Sequence, residues 1–186
     1  MKAPINPKAQ FSILRCKASN ALFFEDELQK RSVAWEKLGT FRYTLVFRED
    51  SPLADLPEIR IKDLKKLVEI SPCDPSIPVE PLGAFRNDSI PKSDRTVILE
   101  DRATVLEVLS ASSETFLWSS PLPEDLKKRY GLIQRPCAEE KTLYLDLVTY
   151  RSHRTLNETE ASFLSHLKYH AKELLKEGEK DISFLI

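Results

Sequence analysis

From Arg95 to Ile186 apolar and polar positions follow two rhythms, period two and period 3.6, which alternate as strand, helix, strand, strand, helix, strand. Thr96 to Leu99 is a brief β-rich run. Asp101 then stands where an N-cap belongs, ahead of a helix whose apolar members are Val105, Leu106, Val108 and Leu109. Thr115 to Trp118 reads as a second strand. Leu143, Leu145 and Leu147, alternating with Tyr144, Asp146 and Val148 through Tyr150, predict the clearest strand in the chain. Asn157 and Glu160 have capping-box spacing. Behind them Phe163, Leu164, Leu167, Ala171, Leu174 and Leu175 form an apolar helical stripe, with Gly178 placed as a stop, and Asp181 to Ile186 reads as a last strand.

The first half is less regular. Phe11 to Cys16 suits a short strand, and Phe24, Leu28 and Trp35 recur near one face of a helix over Asn20 to Leu38, with Gly39 as its end. Phe41, Tyr43, Leu45 and Phe47 alternate with Arg42, Thr44, Val46 and Arg48 as a half-buried strand, and Leu64, Leu67 and Val68 favour a short helix over Lys62 to Ile70. Between Ser71 and Ser93 stand Pro72, Pro75, Pro78, Pro81 and Pro91, which neither a helix nor a central strand sustains. The expected fold class is therefore α+β: a smaller α/β region over 1–70, a Pro-rich connector over 71–93, and a ferredoxin-like βαββαβ domain over 94–186. Ser119 to Glu140, with a helical turn at Glu124 to Tyr130, reads as a long insertion in that domain.

Composition narrows the function classes. In 186 residues, 28 basic and 29 acidic side chains leave a formal charge of -1, so no general field draws the chain to DNA, RNA or an anionic membrane. Any polyanion must be held by a local patch, and no DNA or membrane partner is expected. The 3 cysteines, Cys16, Cys73 and Cys137, are widely spaced and odd in number, which fits a reducing, cytoplasmic setting better than a disulfide framework. No segment has the apolar length of a membrane span.

Ile90-Pro91 ahead of the Thr96 to Leu99 strand, the helix segment Val105 to Leu109, and the run Leu147 to Leu156 followed by Asn157 to Glu160 carry a likeness to one module. Together they resemble the ferredoxin-fold anticodon-binding domain of phenylalanyl-tRNA synthetases, in which a strand ending in Thr-aromatic runs into Arg-Thr-Leu and an acidic helix start. That resemblance implies a non-catalytic RNA-binding module, directed at tRNA, with no cofactor. Its RNA-binding residues would be Tyr150, Arg151, His153, Arg154 and Thr155 at the strand-to-helix junction, where guanidinium groups meet phosphates or stack on bases. The competing reading gives Arg154-Thr155-Leu156 the task of fixing helix entry. The alternative function is a protein-interaction or regulatory ferredoxin-like module, a subunit of a larger assembly that binds no RNA.

Other constellations are weaker. Lys127, Lys128, Arg129, Arg135 and Lys141 lie among Glu124, Asp125, Glu139 and Glu140, a mixture typical of a solvated loop. His166, His170 and Glu173 share a stripe of the last helix, but Leu167 occupies the place of a zincin's catalytic Glu, so a polar helix flank is expected rather than a metal site. With 4 glycines in the chain and neither a nucleophile elbow nor a phosphate-binding loop, no catalytic residue is assigned.

Overall fold

A computed structural model describes residues 10–72, 93–152 and 155–180, with side chains up to 175. The chain divides into two compact units, Met1–Arg42 with Thr142–Ile186, and Tyr43–Lys141. The first unit is thus interrupted in sequence by the second.

In the first unit, β1 (Ser12–Lys17), β2 (Val33–Phe41) and β8 (Tyr144–Arg151) form a three-stranded sheet in the order β1-β8-β2. The outer strands are both antiparallel to β8, and α1 (Ala21–Lys30) connects them. Alternation along β8 sends its side chains to two faces. Leu145 and Leu147 pack with Cys16, Leu14, Val33 and Trp35 beneath Leu28 and Phe24 of α1. Val148 and Tyr150 pack with Leu38 beneath Leu164, Leu167 and Ala171 of α4 (Glu158–Lys180). β8 carries apolar residues on both faces because a helix covers each one.

The second unit holds β3 (Thr44–Arg48), β4 (Val68–Pro72), β5 (Thr96–Leu99), β6 (Thr115–Ser119) and β7 (Leu132–Arg135) in the order β5-β4-β6-β3-β7. β4 runs parallel to β5 and β6, whereas β3 is antiparallel to β6 and β7. One face buries Leu45, Phe47, Phe116 and Trp118 under Leu53, Ile59, Leu64 and Leu67. The other buries Val46, Ile70 and Leu117 under Val105 and Leu109 of α2 (Arg102–Ala111), with Tyr130 of α3 (Glu124–Tyr130) packed alongside.

Several expected elements are present. Asp101 accepts from Thr104 N at 2.7 Å as the cap of α2. Asn157 and Glu160 form the reciprocal capping box, with Glu160 N donating to Asn157 Oδ1 at 2.9 Å and Asn157 N to Glu160 Oε2 at 3.0 Å. Others differ. The helix expected over Asn20 to Leu38 stops at Lys30; Ser32 takes φ 54°, and the chain turns into β2, where Trp35 serves a strand face. The alternation from Phe41 to Phe47 spans the end of β2 and all of β3, in different sheets. The helix expected over Lys62 to Ile70 is a 3-10 helix at Ile61–Lys66 followed by β4.

The ferredoxin-like assignment is corrected by strand pairing. The fold is mixed α and β, but Thr96–Leu99 and Thr115–Ser119 lie in the five-stranded sheet and Tyr144–Arg151 in the three-stranded one. One βαββαβ sheet cannot be drawn through them. The boundaries between the two units fall at 42/43 and 141/142 rather than along the Pro-rich stretch. Most of that connector, and the strand expected over Asp181 to Ile186, lie outside the described residues.

Candidate functional site

The register of the three-stranded sheet brings the residues that follow β1 and β2, Ser19, Asn20 and Arg42 among them, to one end of the unit. β1 and β2 run parallel, and both end level with Tyr144, the first residue of β8. Beyond β1, Ala18 N donates to Leu143 O at 2.8 Å, which fixes the turn Ala18–Asn20 that enters α1. The carboxyl ends of two parallel strands and the amino end of α1 therefore share one edge of the unit.

The chemistry at this edge suits an anion. Asn20, the N-cap of α1, makes no side-chain capping hydrogen bond, and with Ser19 it is exposed. The 3-10 turn Ala18–Asn20 runs directly into α1, with Ala21 N donating to Ala18 O, and no acidic residue stands in the first turn of the helix. Arg42, directly after β2, has its guanidinium Nε buried and without a hydrogen-bond partner among the described residues. A buried donor in that condition costs about 1–3 kcal/mol.

Beneath the edge lies a rigid polar support. Arg15 on β1 faces Asp146 on β8, its Nε 2.8 Å from Oδ1 and its terminal nitrogen 2.7 Å from Oδ2, a bidentate pair. Its guanidinium also lies 4.4 Å from the centroid of the Phe41 ring, which stacks on Tyr144 at 5.8 Å. A charge at Asp146, 7 % exposed in the middle of a leucine-rich strand, is tolerable because it is fully paired. Further along the same face, Tyr150 Oη donates to Glu36 Oε1 at 2.9 Å, and Lys168 of α4 pairs with the same carboxylate. Those contacts hold the Glu36 carboxyl below its ordinary pKa, Lys168 contributing most, while burial and the Glu36 hydrogen bond push the Tyr150 phenol up.

Of the residues expected to bind RNA, Tyr150 and Arg151 lie on opposite faces of β8. Tyr150 is half-buried under α4, edge-on to Phe11 at 5.8 Å. Arg151, the next residue of β8, is exposed on the other face, as the period of a strand requires. Thr155 is exposed, and His153 and Arg154 lie outside the described residues. Of the neighbouring aromatics, Tyr144 is in the first unit and Trp118 is in a core cluster of the second.

Four of the other sequence candidates, Arg135, Lys127, Cys137 and His166, are committed to structure. Arg135 donates to the carbonyls of Leu53, Ala54 and Pro57 and clamps their loop, and Lys127 pairs with Glu124 within α3. Cys137 is buried, its thiol donating to Glu139 Oε2 at 3.3 Å, and burial pushes its pKa up to about 12. Cys16 is raised too, chiefly by burial and then by Asp146 and Glu25. His166 Nδ1 donates to Ser162 O at 2.8 Å, and no metal-holding cluster of His, Cys, Asp and Glu occurs among the described residues. Nor, among these residues, is any helix long and apolar enough to cross a membrane.

Solved structures resolve which architecture this is. The chain aligns with the effector-binding domain of QuiR in complex with shikimate, at a TM-score of 0.56 and 14% identity, covering 89% of this chain and 73% of that one. The regulatory domain of CcmR from Synechocystis PCC6803 in complex with 2-PG gives 0.55 and 12%, covering 89% and 74%. HinK, a LysR-family transcriptional regulator from Pseudomonas aeruginosa, gives 0.54 and 12%, covering 76% and 50%. The fold is that of LysR-family regulatory domains. The chain spans 50% of the length of HinK and of a further Pseudomonas aeruginosa regulator. No protein-family model matches the sequence, and no curated protein does.

These LysR-type likenesses overturn the resemblance to a tRNA synthetase anticodon-binding domain. With it goes the expected tRNA-binding function, since the similar structures are ligand-bound effector and regulatory domains. The expected partner set of RNA or protein without DNA is corrected as well, because the similar proteins are transcriptional regulators. Arg15, Ser19, Asn20, Arg42 and Asp146 were missed by sequence reasoning. The one legible signal was Asp146, a lone acid inside the Leu143 to Val148 alternation.

Proposed function

We propose that this chain is a non-catalytic, cytoplasmic sensing module of the LysR regulatory type that binds a small anionic effector at the edge formed by Ser19, Asn20 and Arg42. The observation that carries the reading is the fold likeness to effector-binding and regulatory domains, two of which are in complex with the small molecules shikimate and 2-PG. The uncapped start of α1 and the buried Arg42 Nε support the choice of an anion. Arg15 and Asp146 act as positioning residues, holding β1 against β8 so that the turn into α1 keeps its place.

The test is thermal unfolding of the purified chain against a panel of small carboxylates and phosphate esters that includes shikimate and 2-PG. A ligand at about a hundred times its Kd adds about 2.7 kcal/mol to stability. For a chain of this size that raises Tm by roughly 5–10 °C. At least one anion should produce a saturable shift of that order, with neutral analogues silent. A panel without any saturable shift, or one in which neutral analogues match the acids, overturns the reading.

A further inference from the structure

We draw no further inference here: the strongest candidate, the exposed apolar patch of Leu22 and Phe23 on the outer face of α1, carries nothing because nothing in the structure shows what covers it.

Discussion

At the scale of single residues, paired charges and buried thiols set measurable chemistry. Cys16 and Cys137 are free, buried and shifted upward, so at neutral pH almost none of either thiol is the reactive thiolate. Site-resolved mass spectrometry after brief iodoacetamide treatment should find both unmodified in the native protein and both labelled in denaturant. Native labelling of Cys137 at the rate of a small free thiol contradicts its placement. Glu36 gives a pH signature. Its folded pKa lies below the unfolded value of about 4.3, so its contribution is present above that value and lost as pH falls through the folded pKa. Tm measured from neutral pH downward should drop more steeply below about pH 4.3 in the wild type than in Glu36→Gln. Parallel curves count against the Lys168 and Tyr150 contacts.

At the scale of elements, what was legible in the sequence was what local chemistry decides. The caps at Asp101 and Asn157 need only a few neighbouring residues, and both were readable from side-chain type and spacing. Asn157→Ala should remove one half of the box and cost about 1 kcal/mol, or about 2–4 °C in Tm. An unchanged Tm removes the box from the account. The missed turn after Lys30 shows the converse. Phe24, Leu28 and Trp35 satisfy a helical period, yet Trp35 lies half-buried on a strand face, and only the pairing of Trp35 with Thr149 across the unit determines that. Gly39 likewise looked like a helix stop, but it lies in β2, where a Cβ would come 3.1 Å from Cβ of Leu175 on α4. Gly39→Ala should therefore destabilise by about 1–3 kcal/mol through overpacking, read by urea denaturation. Gly131 makes the contrast: its φ of 61° favours glycine, although the space beside it is open.

At the scale of the whole molecule, the order of elements after Arg95 was legible except for β7, which stands inside the stretch read as a long insertion, and their partition between sheets was not. The rhythm after Arg95 names β5, α2, β6, β8 and α4 nearly at their observed bounds. Periodicity reports which face of a strand is buried, never which strand lies beside it. Here β5 and β6 pair with β4, which ends on Pro72 at the start of the Pro-rich stretch, while β8 returns to β1 and β2 near the start of the chain. The candidate site was hidden for the same reason. Ser19, Asn20 and Arg42 are scattered in sequence, and only the alignment of β1 and β2 against Tyr144 brings them to one edge.

The central claim is that this edge holds an anionic effector through Arg42, and calorimetric titration of the most stabilising acid into wild type and Arg42→Ala tests it most directly. The account predicts saturable one-site binding to the wild type. It also predicts affinity at least about tenfold weaker in Arg42→Ala, the loss expected of one charged hydrogen bond. Equal affinity in a variant that remains folded by circular dichroism would contradict it.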